Sequence, residues 1–326
     1  MYIEDLKFSL WADFIERDYL DNEFKELIDK KIINGATSNP AIFKNAILTS
    51  SAYKKQLKSL GNIPAKEKYE ALAIYDISKA ADILRPLYDT KDDGYVSIEV
   101  DPSLCDDAPA TIAEGKRLFK TINRPNVMIK VPATTAGYIA MEELTSVGIP
   151  VNATLVFKKA QAIACANAFK RGVYRYDKIV DTVVSIFVSR IDRALDKELA
   201  AKGIDVALSG IYNTASIYAI IEQMDVKGCR ALFASTGVKD DSLAADYYIE
   251  NLLAYNSVNT APVDTIMAFT KNSVTTSALP IKKEIIDAHF SKIQEAGIDF
   301  EALLDTQVKV GLETFKDAFK EILESI

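Results

Sequence analysis

Residues 127–134 read Val127-Met128-Ile129-Lys130-Val131-Pro132-Ala133-Thr134, a short apolar run with one ammonium group inside it. The run is rich in β-branched residues and closes on a proline, which suits a buried strand rather than a helix. Seven further runs have the same character: 6–13 (LKFSLWAD), 32–39 (IINGATSN), 94–101 (GYVSIEVD), 149–157 (IPVNATLVF), 179–188 (IVDTVVSIFV), 229–236 (CRALFAST) and 263–270 (VDTIMAFT). Helical patterns separate them. Asp107 reads as an N-cap with Pro109 in the first turn. FKKAQAIACANAFKRG is expected to stop at Gly172, SRIDRALDKELAAKG at Gly203, and TASIYAIIEQMDVKG to run from a Thr214 cap to Gly228. Strand and helix in alternation imply parallel strands with crossover helices. Eight such strands predict an α/β fold, a closed (β/α)8 TIM barrel, with an open doubly wound sheet as the structural alternative.

Two segments exceed that repeat. Residues 40–93 form an insertion between strands 2 and 3, in which Tyr69, Ala73, Ile77, Ala80, Leu84 and Leu87 step by three or four along one apolar helix face. The tail GLETFKDAFKEILESI puts Leu312, Phe315, Phe319, Ile322 and Ile326 on another, and is expected to pack on the barrel and cover its mouth. No Ser/Gly-rich linker intervenes, so residues 1–326 read as one domain.

The chain of 326 residues is 49% hydrophobic and 26% charged, ordinary for a globular protein. Its net charge of −7 disfavours a general nucleic-acid or membrane-surface binder. No apolar run reaches the roughly 20 residues a membrane helix needs, and the mixed-charge start MYIEDLKFSLWADF does not read as a signal peptide. Cys105, Cys165 and Cys229 match no metal spacing and read as reduced core thiols, so a cytoplasmic location is expected. His289 is the single histidine. It lies in the amphipathic pattern KKEIIDAHFSKIQEAG, where a surface or half-buried structural role is expected, so Ser-His-Asp chemistry and histidine metal sites fit poorly.

In barrels of this kind the chemistry gathers at the carboxyl ends of the strands. Strand 1 ends at Asp13, strand 2 in Thr37-Ser38-Asn39, and strand 3 at Glu99 and Asp101. Strand 4 carries Lys130, strand 5 Asn152 and Thr154, and strand 6 Ser185 followed by Arg190. Strand 7 ends in Ser235-Thr236, followed by Lys239, and strand 8 at Thr270. Taken alone, Lys130 would read as a snorkelling side chain or half of a buried ion pair. With Asp13, Glu99 and Thr154 on the same rim it reads as functional. Burial disfavours an ammonium group and so favours the neutral amine that attacks a carbonyl and forms a Schiff base, although nearby carboxylates pull the other way. The protonated imine then accepts electrons from a breaking carbon–carbon bond. Asp13 and Glu99 can supply the two companion duties: one takes a hydroxyl proton during cleavage, the other shuttles protons during imine formation and hydrolysis. Arg190 and Lys239, with Ser235, Thr236 and Gly237 near a helix start, suit a phosphate. From spacing alone Arg190 and Lys239 read equally as a pair of solvated surface cations.

NGATSNPAIFKNAI, VSIEVD, VMIKVPAT, GIPVNATLVF, SIFVSRIDR and ASTGVK, in this order over residues 8–270, resemble the transaldolase family, most closely its longer bacterial type. The resemblance implies a class I Schiff-base transferase of the non-oxidative pentose phosphate pathway, working without metal or cofactor. Sugar phosphates would be its partners, as monomer or homodimer. It implies Lys130 as the Schiff-base lysine, Asp13 as the acid/base acting on the C4 hydroxyl, and Glu99 with Thr154 as holders of a catalytic water. Asn39 and Asn152 would position the three-carbon donor unit, and Ser185 and Arg190 would contact substrate and phosphate. Ser38 stands where many relatives have Thr. Lys239 stands in for a second phosphate-binding arginine of shorter relatives, beside Ser235. A fructose-6-phosphate aldolase is the nearest alternative, but those relatives place a tyrosine where this chain has Phe187. A catalytically silent barrel is the alternative of a different class.

Overall fold

Eight parallel strands close on themselves in chain order in the computed structural model, which describes residues 2–239, 242–272 and 274–326. They are β1 (Ser9–Ala12), β2 (Gly35–Ala36), β3 (Tyr95–Glu99), β4 (Val127–Pro132), β5 (Val151–Val156), β6 (Thr182–Phe187), β7 (Cys229–Ala234) and β8 (Ser257–Ala261). The ring is sealed where Ser9–Ala12 pairs with Val258–Ala261. No helix among the described residues is long and apolar enough to cross a membrane.

Period two along each strand sorts side chains between bore and shell. Val127, Ile129 and Val131 join the large cluster packed under the helices, while Met128 lies in the bore with Trp11, Tyr95, Val183, Leu232 and Val258. Lys130, two residues beyond Met128, therefore points inward. The same count turns Asp13 inward after Trp11, Glu99 after Tyr95 and Ser97, and Ser185 after Val183. The far end of the bore is plugged: Asp93 accepts hydrogen bonds from Trp11 Nε1 at 3.0 Å and Arg230 Nη2 at 2.6 Å, and the Tyr95 hydroxyl donates to Asp181 at 2.5 Å.

The eighth strand does not lie where the apolar run placed it. Residues Val263–Phe269 are a helix, and the strand is Ser257–Ala261, just ahead of Pro262. Val263, Ile266, Met267 and Thr270 fit a helical step as well as a strand, and so short a run leaves the two indistinguishable. Thr270 is a helix C-cap rather than a strand end. Two helix boundaries also move. Helix Lys159–Tyr176 runs through Gly172, whose absent Cβ would sit 1.8 Å from Thr145 Oγ1, so this glycine serves close helix approach rather than termination. Helix Ser209–Met224 starts before Thr214 and ends at left-handed Asp225. His289 is buried, not superficial, with a ring nitrogen 2.8 Å from the Ser209 hydroxyl. The three cysteines are free and buried.

Between β2 and β3 the insertion forms helices Pro40–Thr49, Lys54–Leu60 and Ala65–Asp89. Tyr69, Ala73, Ile77, Ala80 and Leu84 of the last are buried as their spacing requires. Helix Phe300–Ser325 closes the fold. It is tied to the carboxyl side of the barrel: Lys158 after β5 pairs with Asp305 at 2.8 Å, Lys44 after β2 with Glu321 at 2.5 Å, and Phe319 packs edge-on against Tyr69. Gly311 lets it descend, since a Cβ there would meet Leu155 at 2.9 Å and Arg190 at 3.5 Å.

Candidate active site

Adjacent registers bring the inward polar residues together. Glu99 of β3 pairs with Lys130 of β4, and Lys130 with Asn152 of β5. Lys130 is 5% exposed; its Nζ donates to the Ser38 carbonyl at 3.1 Å and stands 3.9 Å from Glu99 Oε2. That separation leaves the pair attracted but not hydrogen-bonded. Neither Glu99 oxygen, nor the Thr154 hydroxyl, has a hydrogen-bond partner among the described residues. Orphaned buried acceptors are costly in a stability network, and the Glu99 carboxyl beside the Lys130 amine carries two of them.

Burial pushes the Glu99 carboxyl up to about 7; Lys130 and Arg190 oppose this, and the Asp13 charge adds to it. The sign for stability follows. Folded Glu99 holds a proton that the unfolded chain has already released, so stability falls as pH rises from the ordinary carboxyl range through about 7. Glu99→Gln is expected to be more stable than the wild type at pH 8, by on the order of 3 kcal/mol, the attraction to Lys130 being already contained in the raised carboxyl value. The gap should shrink toward pH 5. Urea melts at both pH values measure it, and equal stability at pH 8 would mean that the buried carboxylate ionises at little cost.

Asp13 follows β1, half-buried, its Oδ1 accepting from the Thr37 hydroxyl at 2.6 Å. Asp101, two residues after Glu99, is turned away: Lys66 holds it at 2.7 Å, and it caps the turn Pro102–Leu104. Lower in the bore, Ser185 Oγ donates to Asn152 Oδ1 at 2.6 Å, and Asn152 Nδ2 to Ser97 Oγ at 3.1 Å. Ser97, overlooked in the sequence, thereby fixes which way the Asn152 amide faces. The Ser38 hydroxyl is bound to the Ser97 carbonyl at 2.7 Å, so Ser38 addresses the site through its own carbonyl. Asn39 caps helix Pro40–Thr49, accepting from Ile42 N at 3.0 Å.

Arg190 opens the helix Ser189–Ala201, with its guanidinium 5.0 Å from the Phe187 ring and 5.9 Å from Phe315. No carboxylate among the described residues lies within salt-bridge distance of it. Burial, then neighbouring Arg193, holds its pKa below the usual guanidinium value, while Asp13 and Glu99 counter this. A desolvated cation without a protein counter-ion suits an anionic group. Ser235 sits at φ 56°, its hydroxyl 3.2 Å from that of Ser189. Lys239 is exposed in the loop after β7, apart from the buried cluster.

Comparison with known proteins gives the family. The family model described as Transaldolase/Fructose-6-phosphate aldolase matches residues 10–326. A transaldolase of Helicobacter pylori is 46% identical over 325 residues, covering 98% of this chain and 99% of that protein. One from Campylobacter jejuni is 44% identical over 330 residues, with the same coverage. A closed barrel with a buried lysine among acids at its carboxyl rim, matched along nearly its whole length by proteins of one kind, belongs to the transaldolase/fructose-6-phosphate aldolase family of enzymes.

Proposed function

We propose that this chain moves a dihydroxyacetone unit from sedoheptulose 7-phosphate or fructose 6-phosphate to glyceraldehyde 3-phosphate or erythrose 4-phosphate, through an imine on Lys130. The observation that carries the assignment is the Lys130 amine, buried and 3.9 Å from a carboxyl whose oxygens have no hydrogen-bond partner among the described residues. The amine adds to the donor's C2 carbonyl, and water leaves with a proton delivered from the Glu99 side. Asp13 takes the C4 hydroxyl proton as the C3–C4 bond breaks; its electrons run into the imine and the aldehyde departs. The resulting enamine attacks the acceptor's aldehyde carbon, Asp13 returns the proton, and water activated between Glu99 and Thr154 releases the product.

Asn152, Ser185 and Asn39 orient the three-carbon unit, with Ser38 shaping the lysine's seat. Arg190 takes the phosphate, with Ser235, which is linked to neighbouring Ser189, beside it, and Lys239 supplies a second, outer cation to the same group. Transfer is favoured over hydrolysis because Phe187, buried at that rim, has no hydroxyl to hold water. Residues 1–326 act as one catalytic domain. The free, buried cysteines suit a reducing cytoplasm.

Borohydride added with fructose 6-phosphate is expected to leave a reduced three-carbon adduct on the peptide carrying Lys130, read by mass spectrometry. Folded protein that takes no adduct would return the silent barrel to the front.

A further inference from the structure

We propose that Thr37 and Thr260, neither of which touches the reacting atoms, act as a two-hydroxyl relay that positions Asp13 for carbon–carbon cleavage. The proposal rests on the Schiff-base reading above. Thr37 follows β2 and Thr260 lies in β8; both are buried. Thr37 Oγ1 is 2.6 Å from Asp13 Oδ1 and 2.6 Å from Thr260 Oγ1. A hydroxyl has one proton, and an ionised carboxylate can only accept. With the Thr37 proton on Asp13, the Thr260 proton has to go to Thr37. The chain therefore has a direction, from Thr260 through Thr37 to the carboxylate. Hydrogen bonds to an ionised acceptor are short and strong, and a second donor behind the first strengthens it by polarisation.

This arrangement commits one carboxylate oxygen, Oδ1, and leaves Oδ2 to take the substrate's proton. Asp13 needs such a hold because it lies past the last residue of its strand, half-buried, in the field of Glu99 and Arg190. The hydroxyls do little for the backbone. Thr37 N already bonds Ala12 O at 2.8 Å, and Asp13 N bonds Ala261 O at 2.8 Å. The junction of β1, β2 and β8 is thus laced by main chain, and the two side chains are left to aim the carboxylate.

Thr37→Val keeps shape and removes both hydrogen bonds; Thr260→Val removes only the outer one; Thr37→Ser keeps the hydroxyl. Two rates separate aiming from general support: cleavage of fructose 6-phosphate, which uses Asp13 at the C4 hydroxyl, and borohydride trapping of dihydroxyacetone itself, which has no C4. Thr37→Val is expected to slow cleavage by roughly 100-fold, the scale of a misplaced catalytic group. Thr260→Val should slow it by about 10-fold, and Thr37→Ser should return it to within about threefold of wild type. Trapping of dihydroxyacetone should stay within about twofold in all three. Parallel loss of trapping and cleavage, or unchanged cleavage in Thr37→Val, overturns the relay. Should Thr37→Val fail to fold, Thr260→Val decides by the same comparison. Wild-type protein that traps no dihydroxyacetone would instead fault the Schiff-base reading beneath it.

Discussion

Lys130→Met is expected to yield a folded protein whose transfer rate has fallen by a factor on the order of 10⁴ to 10⁶, the scale on which enzymes lose activity when their nucleophile is removed. Methionine follows the lysine stem through the same narrow bore without bringing a cation into it. Replacing half of a buried charged pair by a well-packed apolar group can be neutral or stabilising if the remaining charge can relax. Here it can. Lys130 is the strongest influence holding the Glu99 carboxyl down, so its removal pushes that carboxyl further toward the neutral acid. The Ser38 carbonyl loses its donor, the one clear cost. The melting temperature should therefore stay within about 3 °C of wild type near neutral pH. A coupled assay with an aldose phosphate acceptor, alongside a thermal melt, measures both halves. Residual transfer within tenfold of wild type would place the covalent chemistry elsewhere.

The second large effect concerns Asp13. Asp13→Asn keeps an oxygen that can accept from Thr37, so the hold on the side chain survives, but the amide cannot take a proton. Cleavage should fall by about 10²–10⁴, the usual worth of a general base. The Lys130 adduct with dihydroxyacetone should form at nearly the wild-type rate, because that step leaves C4 chemistry out. The expected signature is an enzyme that accumulates intermediate on mixing yet barely turns over. If Asp13→Asn instead abolished the adduct, Asp13 would belong to imine formation, and the duties of the two carboxyls would have to be exchanged.

Much of this site could be read without coordinates, for a physical reason. A charged residue in a β-branched run is conspicuous, and period two fixes its direction once one neighbour is known to be core. Lys130 after Met128, Glu99 after Tyr95 and Asp13 after Trp11 are all of that kind. Hydroxyls are not conspicuous. Threonine is itself a good strand former, so Thr37 at the end of its run looks like sheet, Ser97 looks like filler, and Thr260 lies in a strand the apolar pattern does not show. The eighth strand is hidden because its backbone pairs on both sides while its side chains, Asn259 and Thr260 among them, break the apolar run. Gly172 misled in a different way: the sequence marks a glycine, but whether it ends a helix or admits a neighbour depends on what lies across from it. His289 is similar, since its burial comes from Ser209 and Tyr212 on a helix distant in sequence.

The seam between β1 and β8 has a kinetic meaning. Ser9 meets Val258 there, the most distant strand pairing in the chain, whereas Glu99 and Lys130 lie on neighbouring strands joined by a single helix. Pairings between remote segments wait on the largest loss of chain entropy and tend to form late. During maturation of a nascent molecule the amine and its carboxyl partner would thus come together before the base that breaks the sugar. The main-chain anchor of Asp13, its N–H on the Ala261 carbonyl, thus belongs to the last junction of the ring to be drawn shut.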